Sequence, residues 1–170
     1  MVNKENMFSS KELILQVENI FVKSGYLISS YSDLNNGFLK FVLLKNNIEY
    51  VVCANVRNIG SAYLPNKPYI MRRQVGKMNL DEIPGNVKTN VSMLLAIGTV
   101  ESNSVLACWN PFYFVGHATN RSCYVLQSSL EKAQSEGFYD GVDCKTPVLV
   151  CSSNNFGQLL NVYIERNMVD

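Results

Sequence analysis

Two pairs of β-rich runs constrain this chain most. Residues 38–44 and 48–56 flank the short link Lys45-Asn46-Asn47. Asparagine-rich links between β-forming runs signal a hairpin, because asparagine tolerates the left-handed backbone such turns need. Residues 91–97 and 104–109 repeat the arrangement around a polar turn at Glu101-Ser102-Asn103, and Asn110-Pro111 ends the second strand. Further short strands are expected over residues 69–75, 122–126 and 147–151. Gly60, Pro65 and Pro68 make residues 57–69 largely irregular, Pro84-Gly85 marks a turn, and residues 112–121 form a loop.

Three helices complete the pattern. Ser9 and Glu12 form a capping box before an apolar series at Leu13, Leu15, Val17, Ile20 and Phe21, and Gly25 closes the helix over residues 11–23. Ser128 and Glu131 repeat the capping spacing before a helix stopped by Gly137. Asn154 or Asn155 caps a last helix with Phe156, Leu159, Leu160, Tyr163 and Ile164 on one face. The order predicts an α+β fold in one domain spanning 1–170. Its mainly antiparallel sheet of six to seven strands is strongly curved or barrel-like. Helices lie at the N-terminus and in the C-terminal third. Short strands leave costly edges unless they close, which favours such curvature and leaves closure itself open.

Composition narrows the class without naming a function. At 47% hydrophobic and 17% charged, the chain can bury a sizeable core and is not a disordered type. No apolar run approaches the ~18 residues of a membrane helix, and the N-terminus lacks a charged-then-apolar leader pattern. Five cysteines without a C-x-x-C pair read as reduced thiols, and the expected location is cytoplasmic.

Net charge is only +1, but its distribution is uneven. Residues 55–90 carry six basic groups against two acidic, whereas residues 131–170 carry three against six. A local basic segment can bind an anionic partner although the sum is near neutral.

Most catalytic and cofactor chemistries lack their residues. The single histidine, His117, stands near no recognisable nucleophile setting. Cys108, His117 and Cys123 match no zinc spacing. Gly60, Gly85 and Gly98 stand alone, so no phosphate loop exists. A restriction-type nuclease needs an acidic pair beside a lysine to hold Mg²⁺. The only D-x-K is Asp143-Cys144-Lys145, near Asp140 and in an expected loop. No cofactor is therefore expected, and Mg²⁺ enters only under that nuclease alternative.

Four segments carry the recognisable chemistry. Arg72-Arg73-Gln74 lies on an expected strand. Alternation puts the two arginines on opposite faces, Arg73 outward and Arg72 with Gln74 on the other. Arginine and glutamine pair bidentately with guanine and adenine edges, and arginine also grips phosphate. Arg72 alternatively pins neighbouring loops. A long polar loop holds Asn58, Ser61, Tyr63 and Lys67 directly after a strand. The aromatic run Cys108–Phe114 includes Trp109 and Asn110, either lining a base pocket or packing in the core. His117 to Ser122 form a polar loop with one cation, Arg121.

The ordered pieces then resemble a family. They are Asn58, Tyr63-Leu64-Pro65, Arg72-Arg73-Gln74-Val75, Ala96-Ile97-Gly98, Val105 through Pro111, Ser122-Cys123-Tyr124-Val125 and Leu130-x-x-Ala133-x-x-x-Gly137. Over roughly residues 55–165 this order is similar to an amino-terminal module of predicted bacterial restriction endonucleases. The chain departs from that pattern in placing Arg73 before Gln74 with Val75 following. The resemblance implies recognition of double-stranded DNA at a methylated or otherwise defined site, within a restriction or defence system. A nuclease or motor subunit would be the protein partner, and the oligomeric state is open.

The expected DNA contacts are Arg57, Asn58, Ser61, Tyr63, Lys67, Arg72, Arg73, Gln74, Lys77 and Arg121. Trp109, Asn110 and His117 are the expected base pocket. Two other classes compete. One is a metal-dependent nuclease using Asp140 or Asp143. The other is a protein-interaction or assembly module, dimeric through the apolar 108–114 stretch.

Overall fold

The computed structural model describes residues 7–75, 83–114 and 122–167. Helix α1 (Ser10–Lys23) opens on the expected capping box. The Ser9 hydroxyl accepts from Glu12 N, and the Glu12 carboxylate accepts from Ser9 N. Ten strands follow in chain order: β1 (Leu27–Asp33), β2 (Leu39–Lys45), β3 (Ile48–Asn58), β4 (Gly60–Ser61), β5 (Ile70–Gln74), β6 (Asn90–Val100), β7 (Asn103–Trp109), β8 (Ser122–Leu126), β9 (Phe138–Asp143) and β10 (Thr146–Ser152). Helix α2 (Gln127–Glu136) lies between β8 and β9, and α3 (Phe156–Asn167) follows β10. Among the described residues, no helix is long and apolar enough to cross a membrane.

The fold is α+β with a mostly antiparallel seven-stranded sheet, in the order β1-β2-β3-β6-β7-β10-β9. The sheet stays open, with β1 and β9 at its two edges, rather than closing into a barrel. Three hairpins use two-residue turns in left-handed backbone: Asn46-Asn47, Glu101-Ser102 and Cys144-Lys145. That turn matches the right-handed twist of the flanking strands. Among the described residues, the one parallel pairing joins β3 to β6. The chain between them makes β4 and β5, which pair with β8 in a second sheet of order β4-β5-β8.

Strand alternation divides the core into two layers. On one side, Val52, Ala54, Met93, Leu95, Leu106, Cys108 and Leu149 meet α1 and α3 through Phe21, Phe156, Leu160 and Tyr163. On the other, Cys53, Leu94, Ala96, Val105, Ala107, Trp109 and Val150 meet the small sheet and α2 through Met71, Cys123, Val125 and Leu130. The central strand β6 is buried on both faces, so it reads as a continuous apolar run rather than an alternating one.

Two strands and one cap differ from the sequence expectation. Strand β1 is almost wholly exposed and lacks an apolar face to announce it. Residues 138–143 form edge strand β9 rather than a loop. Helix α2 begins at Gln127 behind Leu126, with no side-chain cap from Ser128. Asp143 acts there instead. It is 2% exposed and accepts from Leu126 N (2.9 Å), the Ser129 hydroxyl (2.7 Å) and the Tyr139 hydroxyl (2.6 Å). A carboxylate at a helix N-terminus satisfies free amides and complements the helix dipole.

Hydrogen bonds to a charged group contribute roughly 1.5–3 kcal/mol each. Asp143→Ala is therefore expected to destabilise the protein by about 3 kcal/mol or more in urea unfolding. A change near zero would show that the cap is dispensable.

Candidate nucleic-acid interface

From Met71 onward β5 alternates, as does β8, while Ile70 at the start of β5 is buried. Met71, Arg73, Cys123 and Val125 point inward and are buried, whereas Arg72, Gln74, Ser122, Tyr124 and Leu126 retain exposure. Register places Arg72 opposite Tyr124 on β8 and opposite Gly60 on β4, and Gln74 opposite Ser122. The outer face thus carries a guanidinium, an amide, a phenol and a hydroxyl within three strands. Tyr124 and Ser122 join this face although neither was among the expected contacts, because the pairing of β8 with β5 is not visible in a five-residue strand.

Beside this face lies a cleft of about 440 Å³ lined by Arg57, Asn58, Ser61, Arg72, Gln74 and Val75, with Gly60 and Met7 completing it. Arg57 reaches it from the end of β3, on the face that carries Cys53 and Asn55. The lining holds two arginines and no carboxylate. Among the described residues, neither Arg57 nor Arg72 is ion-paired. Arg57 is exposed and Arg72 is partly exposed, so both can meet an anion, which an arginine fork grips bidentately.

Arg73 overturns the expectation that it faces solvent. It is 0% exposed. Its Nη1 donates to Asn55 O (2.9 Å) and Leu95 O (3.3 Å), its Nε donates to Gln74 O (3.2 Å), and its Nη2 donates to Asn55 Oδ1. The physical reason is the layer packing: β5 lies over the main sheet, so one of its two faces must look inward. Burial pulls the guanidinium pKa down to about 10, so it remains a cation at neutral pH. Its neighbours Cys108 and Cys123 are held as neutral thiols, both pushed up by burial, Cys123 to about 12. Among the described residues no carboxylate pairs with it, and Arg57 is close enough to add repulsion. Arg73 therefore does not contact a ligand, but it sets the position of Gln74 and adds positive potential beneath the cleft.

The other expected contacts fall into separate places. Asn58 lines the cleft, but its amide is committed. It accepts from Phe8 N (2.9 Å) and donates to Phe8 O (2.8 Å), pinning the start of the described chain. Ser61 is buried, and its hydroxyl accepts from Tyr63 N (3.1 Å). Tyr63 is 74% exposed, at the start of the loop between β4 and β5. Lys67 lies toward the opposite end of β5, where its carbonyl accepts from Ile70 N (3.2 Å). The basic segment thus splits in space. Lys77, Arg121 and His117 lie outside the described residues.

Trp109 is 1% exposed and donates from its indole to Tyr124 O (3.3 Å), so it packs in the core instead of offering a stacking face. Asn110 uses its side-chain oxygen to accept from Phe112 N (3.0 Å), ordering the 3₁₀ turn Pro111–Phe114. The two carboxylates of the nuclease alternative are both engaged. Asp143 caps α2, and Asp140 forms a bidentate pair with Arg166 at 2.7 Å for each oxygen. That pair holds the Asp140 carboxyl below its ordinary range.

A family model described as Methylase-associated X1 matches residues 48–159. The chain belongs to the Methylase-associated X1 family. The match runs from the start of β3 into α3 and includes the whole small sheet and every residue lining the cleft except Met7. The family's description ties it to methylases, and so to restriction–modification systems, in keeping with the context the sequence implied. No curated protein and no solved structure matches the chain.

Proposed function

We propose that this Methylase-associated X1 chain is a double-stranded DNA-targeting module of a restriction–modification system. The outer face of β4-β5-β8 and the adjoining arginine cleft would form its contact surface. The observation that carries this reading is a lining with two arginines and no carboxylate, in which neither Arg57 nor Arg72 is ion-paired among the described residues, beside the buried cation Arg73. Arg57 supplies a phosphate contact. Arg72 and Gln74, alternate residues on one exposed face, are the base-edge readers, since their planar forks match guanine and adenine edges. Methylated sites are natural targets, given the family's association with methylases.

In this reading the chain supplies recognition, and a partner methylase or nuclease supplies chemistry. Cleavage by the chain itself is not favoured, because Asp140 and Asp143 are bonded within the protein. Fluorescence anisotropy with methylated and unmethylated duplexes at low salt tests the proposal. Saturable binding is expected, and a panel with no retention at low salt ends it.

A further inference from the structure

A second pocket lies away from the arginine cleft. Strand β7 runs antiparallel to β6, so Trp109 sits opposite Leu94, whereas the cleft adjoins the other end of β3 and β6 near Asn58 and Ile97. The pocket measures about 410 Å³ and is largely apolar. Phe112, Tyr113, Pro147 and the Asp140-paired Arg166 form its accessible walls, with the buried Trp109, Val148 and Leu149 behind them. Tyr113 is 48% exposed, and its hydroxyl donates to Lys145 O (3.1 Å), which anchors the ring beside the β9–β10 turn. Lys145 and Lys67 are exposed, and the bonds from Gln127 N to Tyr69 O (2.8 Å) and from Leu126 N to Asp143 Oδ2 (2.9 Å) bring the Lys67 end of β5 beside that turn.

The chemistry is that of a planar ring bearing an anion. Pockets of roughly 300–1,000 Å³ lined by aromatics with few polar groups hold small ring systems. Base stacking on exposed aromatics tolerates any base, because each presents a π-face. The adjacent carboxylates do not cancel the lysines: Asp140 is paired to Arg166, and Asp143 is buried at the α2 cap. The charge therefore complements phosphate. The Lys67 end of β5 and its Arg72–Gln74 end are separated by a strand that rises about 13 Å, which a single duplex spans.

We propose that this pocket takes one unpaired nucleobase of bound nucleic acid, stacked on Tyr113 and Phe112, with its phosphate met by Lys145 and Lys67. The proposal rests on the DNA-targeting reading and names a second point of contact for it. A flipped or bulged base costs less to extract than a paired one, so such sites would be selected.

Trp109 is the only tryptophan in the chain and lies behind the pocket, so its emission reports occupancy. The experiment compares a fully paired duplex, the same duplex with one bulged adenine, and free adenosine monophosphate. These are tested against the full chain, Tyr113→Ala and Tyr113→Phe.

The bulged duplex is expected to bind roughly five- to a hundredfold tighter than the paired one. Trp109 emission should change only with the bulged base or the monophosphate. Tyr113→Ala should abolish the difference while leaving paired-duplex binding intact, and Tyr113→Phe should keep it. Equal affinity for both duplexes with unchanged Trp109 emission overturns the pocket and leaves the DNA reading standing. Trp109 quenching by the monophosphate without binding of either duplex supports nucleobase chemistry in the pocket and overturns the DNA reading. Silence with all three probes overturns both.

Discussion

Replacing Arg73 with alanine is expected to cost roughly 3–5 kcal/mol of stability, the range of a severe core substitution. Two effects add. Truncation leaves a cavity between the sheets at a site with no solvent access. It also strips donors from Asn55 O, Asn55 Oδ1 and Leu95 O, and a buried acceptor left unpaired costs about 1–3 kcal/mol. Desolvating the cation works against the native arginine, so the net loss is smaller than the sum of these terms. Arg73→Lys should recover only part of the stability, because one ammonium cannot reproduce a planar fork reaching four acceptors. Urea unfolding of both variants, read as a shift in midpoint at constant slope, checks this. An alanine variant as stable as the parent would mean that the small sheet docks without its central clamp.

The second large effect concerns the outer face. Arg72→Ala is expected to weaken binding to the preferred duplex by roughly 1–3 kcal/mol and to narrow its margin over other sequences. Gln74→Ala should act in the same direction, because the two side chains alternate onto one exposed face. Arg57→Ala should instead weaken all sequences alike, as loss of a phosphate contact does. Stability should change little for these three, since none of their side chains forms a hydrogen bond or ion pair within the described residues. Competition anisotropy against a randomised duplex separates the two patterns. Uniform weakening by Arg72→Ala would reassign it to the phosphate backbone.

Much of the architecture was legible wherever one strong local signal stood alone. The capping box at Ser9 and Glu12, the Asn46-Asn47 turn and the apolar face of α3 each depend on residues close in sequence. Strands β1 and β9 were not legible, because edge strands need no apolar face and these two carry Ser30, Ser32, Asp140 and Gly141 instead. The α2 cap was misread because its true acceptor, Asp143, arrives from a strand 17 residues beyond Leu126.

The candidate site divides along the same line. Alternation along β5 separated Arg72 and Gln74 from Arg73 in the sequence alone. It could not say which face was inward, because that depends on β5 packing over β3 and β6, a contact between layers. Lys67, seven residues after Gly60, parted from the cleft for a related reason: the loop carries it to the far end of β5.

The most direct measurement is the salt dependence of duplex affinity, for the parent chain and for the Arg57→Ala, Arg72→Ala double variant. The logarithm of the association constant should fall linearly with the logarithm of salt, by about 0.9 for each phosphate neutralised. The parent slope should be clearly negative, and the double variant should lose one to two units of it. A parent that binds duplex with no salt dependence, or a double variant with an unchanged slope, would contradict the arginine cleft as the contact surface.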